Sequence, residues 1–375
     1  MSAGAGLSPL QQLPADIVNL ADFEAHARAR MSEPAWAYLN GGAADEQVLR
    51  ANRAAWDAVK LWPRVLRDLS GGHTRIMLLG REWPQPVLLA PIAYQRLAHA
   101  DGELACAYAA AAQGAGLILS AQASVPMEPI ARAMLDEAGR GPLWFQLYWR
   151  DDRGFMRELL QRIEAAGFEA LVLTVDAPVH GARDRERRAG FKLPDDIRAV
   201  NLGGRKQPLH LAPGQSAMFD GLMPRAATWA ELDWLREHSR LPLLLKGVAH
   251  PDDAREAQRR GVAGLVVSNH GGRTLDALPA TAELLLQLRQ AVGEGLPLLV
   301  DGGIRRGTDV LKALCLGADA VLLGRPYVHA LATAGALGVA HALRLLRDEL
   351  EIAMALSGCG QLSEAGPQLL WPSRI

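Results

Sequence analysis

His270 stands in the run Ser268-Asn269-His270-Gly271-Gly272-Arg273, which puts a proton-transfer side chain, two glycines and an arginine within six positions. An imidazole can take a proton from a bound substrate near neutral pH. The arginine adds a planar fork of donors that suits a carboxylate, and the glycines add flexible backbone. A single histidine is as readily a satisfied core or surface group, so the surroundings must decide. They supply similar chemistry repeatedly. Short apolar runs along the chain end on Pro91-Ile92-Ala93, Ser120, Gln146 with Tyr148, Thr174 with Asp176, Lys246, Ser268 with His270, Asp301, and Gly324-Arg325. Chance would scatter polar groups along strands and helices alike. Their concentration at the ends of apolar runs points to an enzyme.

The elements that position them repeat. Eight apolar runs, at 87–90, 116–119, 143–147, 170–175, 242–246, 264–268, 297–301 and 320–324, read as buried parallel strands. Helical patterns lie between them: from Asp101, from Pro126, 151–167, from the capping box Thr228-Trp-Ala-Glu231, 251–261, 279–292 and 307–316. Alternating strand and helix implies crossovers, and eight units imply a closed (β/α)8 barrel, whose active site lies at the C-terminal ends of the strands. A doubly wound open sheet is the weaker alternative, since no GxGxxG follows the first strand. Ahead of the barrel, residues 1–18 read as a loose leader. A helix starts near Asn19, another at Pro34, and loops with short strands fill 61–86. A closing helix spans about 338–356. Residues 177–228, after the fourth strand, are too long for an ordinary connection and read as an active-site lid within a single domain covering 1–375.

Composition narrows the classes. The chain has 375 residues, 49% hydrophobic, with a net charge of −1, which gives no general basic field for nucleic acid. Three widely spaced cysteines fit buried thiols in a reducing compartment, and no metal signature is present. Without a signal-peptide pattern at the N-terminus or an apolar run long enough for a bilayer, the expected location is the cytoplasm, with no stable membrane insertion.

Two stretches are richer than turns require. Asp301-Gly-Gly-Ile-Arg-Arg-Gly307 and Gly324-Arg-Pro326 combine glycine amides, arginines and helix starts, which is the make-up of a phosphate site, although tight turns also need glycine. Lys246 could be an ion-pair partner, a Schiff-base nucleophile or a positive charge beside a cofactor. His270 with Asp176 could be a base and its orienter, and Arg183 with Arg273 a carboxylate clamp.

Ser268-Asn-His-Gly-Gly-Arg-Thr-Leu-Asp276 closely resembles the signature of the FMN-dependent α-hydroxy acid oxidising enzymes, which include glycolate oxidase, lactate oxidase, flavocytochrome b2 and mandelate dehydrogenase. Further similar stretches are Leu89-Ala-Pro-Ile-Ala-Tyr-Gln95, Phe145-Gln-Leu-Tyr148, Leu173-Thr-Val-Asp176, Leu245-Lys-Gly247, Asp301-Gly-Gly-Ile-Arg-Arg-Gly-Thr-Asp309 and Gly324-Arg-Pro326. The resemblance runs from about residue 20 to 359. It implies FMN as cofactor, oxidation of an (S)-2-hydroxy acid to the 2-oxo acid, and reoxidation by O2. By resemblance His270 is the base, stabilised by Asp176. Arg183, Arg273 and Tyr148 bind the substrate. Ala90, Pro91, Ile92, Ala93, Ser120, Gln146, Thr174 and Ser268 hold the flavin ring, with Lys246 near its N1 and O2. Asp301 meets the ribityl chain, and Gly303, Arg305, Gly324 and Arg325 hold the phosphate. A homotetramer is the family's common assembly.

Two departures bear on the substrate. Trp36 is read in the place of a carboxylate-binding tyrosine of glycolate oxidase, and Gln122 in the place of a tryptophan at its barrel mouth. With Ala-Tyr-Gln-Arg at 93–96 and Trp-Phe-Gln-Leu-Tyr-Trp at 144–149, the chain looks most like the 4-hydroxymandelate and mandelate oxidase branch. An aryl or bulky side chain on the substrate is therefore expected. The alternatives are an L-lactate or other aliphatic 2-hydroxy acid dehydrogenase using a quinone or carrier protein, and a non-catalytic flavin-binding barrel.

Overall fold

The protein is described by a computed structural model covering residues 7–203 and 211–372. Three helices lead the chain: α1 (Phe23–Arg30), α2 (Glu33–Asn40) and α3 (Gln47–Ala58). A hairpin of β1 (Ile76–Leu78) and β2 (Arg81–Trp83) follows. The barrel strands are then β3 (Val87–Leu89), β4 (Gly116–Ser120), β5 (Leu143–Leu147), β6 (Ala170–Thr174), β7 (Leu243–Lys246), β8 (Gly264–Val267), β9 (Leu298–Val300) and β10 (Ala320–Leu323). All eight pair in parallel, and β10 closes on β3 with Leu322 opposite Leu88. This is the expected closed (β/α)8 barrel. The helices between the strands are α4 (Glu103–Ala112), α5 (Met127–Leu135), α6 (Arg153–Ala165), α7 (Asp184–Arg188), α8 (Trp229–His238), α9 (Pro251–Arg259), α10 (Thr281–Val292) and α11 (Gly307–Cys315). The Thr228–Glu231 capping box opens α8 as the sequence predicts.

The strands alternate between two cores, because successive strand side chains point to opposite faces. Leu89, Leu119, Phe145, Leu173, Leu245, Val267, Val300 and Leu323 pack outward against helices. Leu88, Ile118, Trp144, Val172, Leu244, Val266, Leu299 and Leu322 fill the barrel, and Trp83 of the hairpin meets Trp144 edge-on beneath them. Two residues beyond each inward side chain come Ala90, Ser120, Gln146, Thr174, Lys246, Ser268, Asp301 and Gly324. The strand period alone therefore delivers one layer of mainly polar groups at the mouth.

Several sequence expectations need correction. The leader is not loose from residue 7 onward: Leu10 donates to the Thr333 carbonyl, and Ile17 is buried. Residues 1–6 lie outside the described residues. Helix α1 begins at Phe23 rather than Asn19, whose side chain instead accepts from Ala21 N in a preceding turn. Helix α4 starts at Glu103, after Gly102 with φ +50. Helix α3 has no counterpart in the sequence reading. The last helix, α12 (Arg325–Ser357), begins directly after β10 and breaks at Ala334 and Gly335, so the expected 338–356 helix is only its second arm. By length and composition α12 could cross a membrane, but 67% of its apolar stretch is buried inside the protein, as in a core helix. The long connection after β6 is not featureless. It carries α7, a 3-10 turn at Val200–Leu202 and a π turn at Ala217–Leu222, while 204–210 lie outside the described residues.

Candidate active site

A cavity of about 550 Å³ opens at the C-terminal ends of the strands. Its walls include Ala90, Pro91, Ile92, Ala93, Ser120, Gln146, Tyr148, Thr174, Arg183, Lys246, His270, Arg273, Asp301, Gly303, Arg305, Gly324 and Arg325. Most of the residues singled out from sequence thus meet in one place. Three, Asp176, Ser268 and Trp36, stand elsewhere.

Asp176 lies behind His270, its Oδ1 2.9 Å from the imidazole Nδ1. Burial works against the carboxylate, but His270 and Lys246 outweigh it and hold its pKa below the usual carboxylate range. An ionised carboxylate only accepts, so Nδ1 carries the proton and Nε2 keeps its lone pair. Burial lowers the His270 pKa; Asp176 opposes this, and the Lys246 and Arg273 charges add to it. The imidazole is therefore neutral and basic at neutral pH. Gly247 makes the approach possible: a Cβ there would lie 2.3 Å from Asp176 Cγ.

Ser268 lies directly behind the cavity lining. It is fully buried and does not line the cavity. Its hydroxyl accepts from Lys246 Nζ at 2.7 Å and from the His270 amide at 3.0 Å, so it braces both groups from beneath. Lys246 Nζ also lies 3.0 Å from Asp301 Oδ2. Burial disfavours the ammonium, but Asp301 and Asp176 more than compensate and raise its pKa. A protonated, ion-paired lysine is a fixed positive charge rather than a nucleophile. Among the described residues Asp301 Oδ1 is buried with no partner, an acceptor suited to a ligand hydroxyl.

At the far side, Gly302 and Gly303 adopt φ of +87 and +93. A Cβ on Gly303 would meet Asn52 O and Trp56 Cδ1 at 2.8 Å, so the turn is moulded on α3. Trp56 donates to Gly302 O, Arg53 to Gly303 O, and Asn52 exchanges two amide hydrogen bonds with Asn269. This unpredicted helix therefore ties the His270 loop to the glycine turn. Arg305 and Arg325 are lowered in pKa by burial, Arg325 to about 9, and its Nε is buried without a partner. Two half-buried guanidiniums beside a glycine turn and the start of α12 fit a phosphate dianion.

Arg183 and Arg273 also line the cavity, Arg273 sharing the Gly41 carbonyl with Arg325. Burial and the charge of Arg183 bring the Arg273 pKa down to about 10, and Arg183 Nε has no partner. Such a pair calls for an anion. Trp36 does not join it. Trp36 and Tyr38 lie two apart on α2, about 200° around the helix, so only one can face the cavity. Tyr38 does; Trp36 stacks on His329 instead, with ring centroids 5.4 Å apart. Tyr38 packs under the Arg273 guanidinium and against Phe191. Sequence reasoning missed it, although this helical spacing was the available signal. Burial pushes Tyr38 and Tyr148 up to about 12, so both keep their protons as donors. Gln122 lines the cavity as expected. His180, Trp149, Leu202 and Leu222 also line it and were not singled out.

The family model for FMN-dependent dehydrogenase matches residues 27–372. The chain belongs to that family. It is 48% identical over 370 residues to an L-lactate oxidase of Alicycliphilus denitrificans, covering 98% of this chain and 100% of that protein. It is 44% identical to a 4-hydroxymandelate oxidase of Amycolatopsis orientalis (93% and 96% covered) and 42% identical to glycolate oxidase 1 of Zea mays (93% and 94%). The crystal structure of a mandelate oxidase with (S)-4-hydroxymandelic acid superposes with a TM-score of 0.85 at 44% identity, covering 94% of this chain and 98% of that one. The protein is an FMN-dependent 2-hydroxy acid oxidoreductase acting on the CH–OH group. The Asp301 oxygen without a partner among the described residues and the half-buried Arg305 and Arg325 fit FMN's hydroxyls and phosphate.

Proposed function

We propose that the enzyme oxidises an (S)-2-hydroxy acid with an aryl or bulky apolar side chain to the 2-oxo acid, with O2 as final electron acceptor. The observation that supports this most is the single cavity that joins the His270–Asp176 pair, two anion-seeking arginines and a phosphate site. Arg183 and Arg273 hold the substrate carboxylate, with Tyr38 and Tyr148 as neutral donors beside it. His270 Nε2 takes one substrate proton, and Asp176 stabilises the imidazolium that forms. Backbone of Ala90 to Ala93, with Ser120, Gln146 and Thr174, holds the flavin ring. Lys246 supplies a fixed positive charge beside it, Asp301 meets the ribityl hydroxyls, and Gly303, Arg305, Gly324 and Arg325 hold the phosphate. When bound, FMN supplies the two-electron acceptor.

The bulky side chain is argued from the remaining walls. Gln122, Trp149, Leu202, Leu222, Ala226 and Ala227 also line the cavity, and their mostly apolar side chains suit a bulky apolar group better than a methyl. Mandelate oxidases among the structural neighbours support the same reading. The second reading is L-lactate, favoured by three relatives of that name at 48, 47 and 45% identity. Steady-state kinetics on (S)-mandelate, L-lactate and glycolate, with peroxide detection in air, tests both. A higher kcat/KM for mandelate supports the aryl reading; lactate ahead of mandelate overturns it. A cytoplasmic homotetramer belongs to the same proposal, and sedimentation of the FMN-loaded protein tests its assembly.

A further inference from the structure

His329 lies one turn beyond Arg325 on α12 and is 2% exposed. Its Nε2 is 2.6 Å from Asn40 Oδ1. The Asn40 amide orientation is fixed, because its Nδ2 donates to Trp36 O. Asn40 Oδ1 can only accept, so His329 donates from Nε2, and burial near Arg305 and Arg325 keeps the ring neutral. Its ring stacks on Trp36 at an interplanar angle of 16°. One imidazole thus grips α2 at two points, Trp36 and Asn40. Among the described residues its Nδ1 is buried with no partner.

The end of α2 that it grips carries more than these two residues. Tyr38 lies between them and lines the cavity. The carbonyls of Tyr38 and Gly41 accept from Arg273 Nη1 at 2.6 and 2.9 Å. The Gly41 carbonyl also accepts from Arg325 Nη2 at 3.1 Å, and the Gly271 carbonyl from Arg325 Nη1 at 3.0 Å. Arg273 is therefore aimed by backbone acceptors whose position depends on how α2 is seated against α12. A buried histidine with one unpaired nitrogen is a costly way to fill space, and phenylalanine would fill it without an orphaned acceptor.

We propose that His329 is a positioning residue for substrate binding. It seats the C-terminal end of α2 through Asn40 and Trp36, and so sets Arg273 and Tyr38 for the carboxylate without touching substrate. The inference rests on Arg273 being the carboxylate clamp. His329 contributes nothing to proton transfer, so its loss weakens carboxylate binding while leaving the chemical step alone.

The test compares His329→Phe, which keeps the stack and loses the Asn40 hydrogen bond, with His329→Gln, which can restore a donor to Asn40. Each holoenzyme is titrated with benzoate, an inert carboxylate, by perturbation of the flavin spectrum, and kcat and KM are measured with FMN content. In His329→Phe we expect benzoate Kd and substrate KM to rise roughly tenfold with kcat changed less than about twofold, as displacement of a binding group would produce. His329→Gln should recover most of the loss. Unchanged Kd and KM in His329→Phe, or a fall in kcat alone, overturns the proposal. Equal losses in both variants also overturn it, because the hydrogen bond then does not matter. Arg273→Lys separates the premise: if it leaves benzoate Kd unchanged, the clamp assignment fails whatever His329 does.

Discussion

His270 Nδ1 and Asp176 Oδ1 lie 2.9 Å apart, with the carboxylate buried and the imidazole facing the cavity. The pair sets the acid limb of catalysis. Burial lowers the His270 pKa below the usual histidine value, so kcat/KM should rise with pH through an apparent pKa below about 6.5 and then level off. Asp176→Asn removes the charge that favours imidazolium. The limb should shift to lower pH, and kcat should fall by roughly 10²-fold as the base weakens. A pH–rate profile of both proteins checks this; a limb moved to higher pH contradicts the pairing.

Lys246 and Asp301 form a buried pair that neither residue survives losing alone. Lys246→Met leaves the Asp301 carboxylate without its cation, and Asp301→Ala leaves the ammonium dependent on Ser268 and Asp176. Each single change should destabilise the FMN-free protein by about 3–5 kcal/mol. The double variant Lys246→Met/Asp301→Ala should lose less than the sum of the two. Urea unfolding of the four proteins reads the coupling, and strict additivity would count against it.

The barrel and its mouth were legible because a strand period of two turns eight short apolar runs into eight addressed positions. Ala90, Ser120, Gln146, Thr174, Lys246, Asp301 and Gly324 could be read from spacing alone, and the cavity contains all of them. What escaped came from outside that period. Trp36 and Tyr38 sit two apart on α2, and only the helical face each occupies shows that Tyr38, not Trp36, meets the cavity. Ser268 shares the mouth layer, but its short side chain reaches neighbours rather than the opening. Helix α3 was missed because its apolar face, Val48, Asn52 and Trp56, includes an asparagine whose purpose appears only with Asn269 opposite it. Long-range amide pairs leave no local pattern.

Gln122 sits where the side chain of the substrate is proposed to lie. Gln122→Trp fills that part of the cavity with a ring and should lower kcat/KM for (S)-mandelate by more than about tenfold, while L-lactate changes by less than threefold. Parallel kinetics on both substrates check it. Equal losses would mean that Gln122 does not meet the side chain.

His329 should also mark the acid limit of stability. Burial, with Arg305 and Arg325 close by, takes its pKa down to about 3, whereas the unfolded chain has about 6.5. The folded value is the lower one, so below pH 6.5 the unfolded state binds a proton that the folded state refuses. Its contribution is complete above about pH 6.5 and is lost progressively as the pH falls toward 3. Titrating carboxylates add their own loss below about pH 5, so the window between 5 and 6.5 is the informative one. His270 and His180, lowered in the same direction, contribute there as well. Removing one of the three sources should make the melting temperature fall less steeply across that window in His329→Phe than in the parent. Scanning fluorimetry in matched buffers from pH 5 to 8 measures it, and identical slopes would show that His329 is protonated as easily in the folded protein as in the unfolded chain.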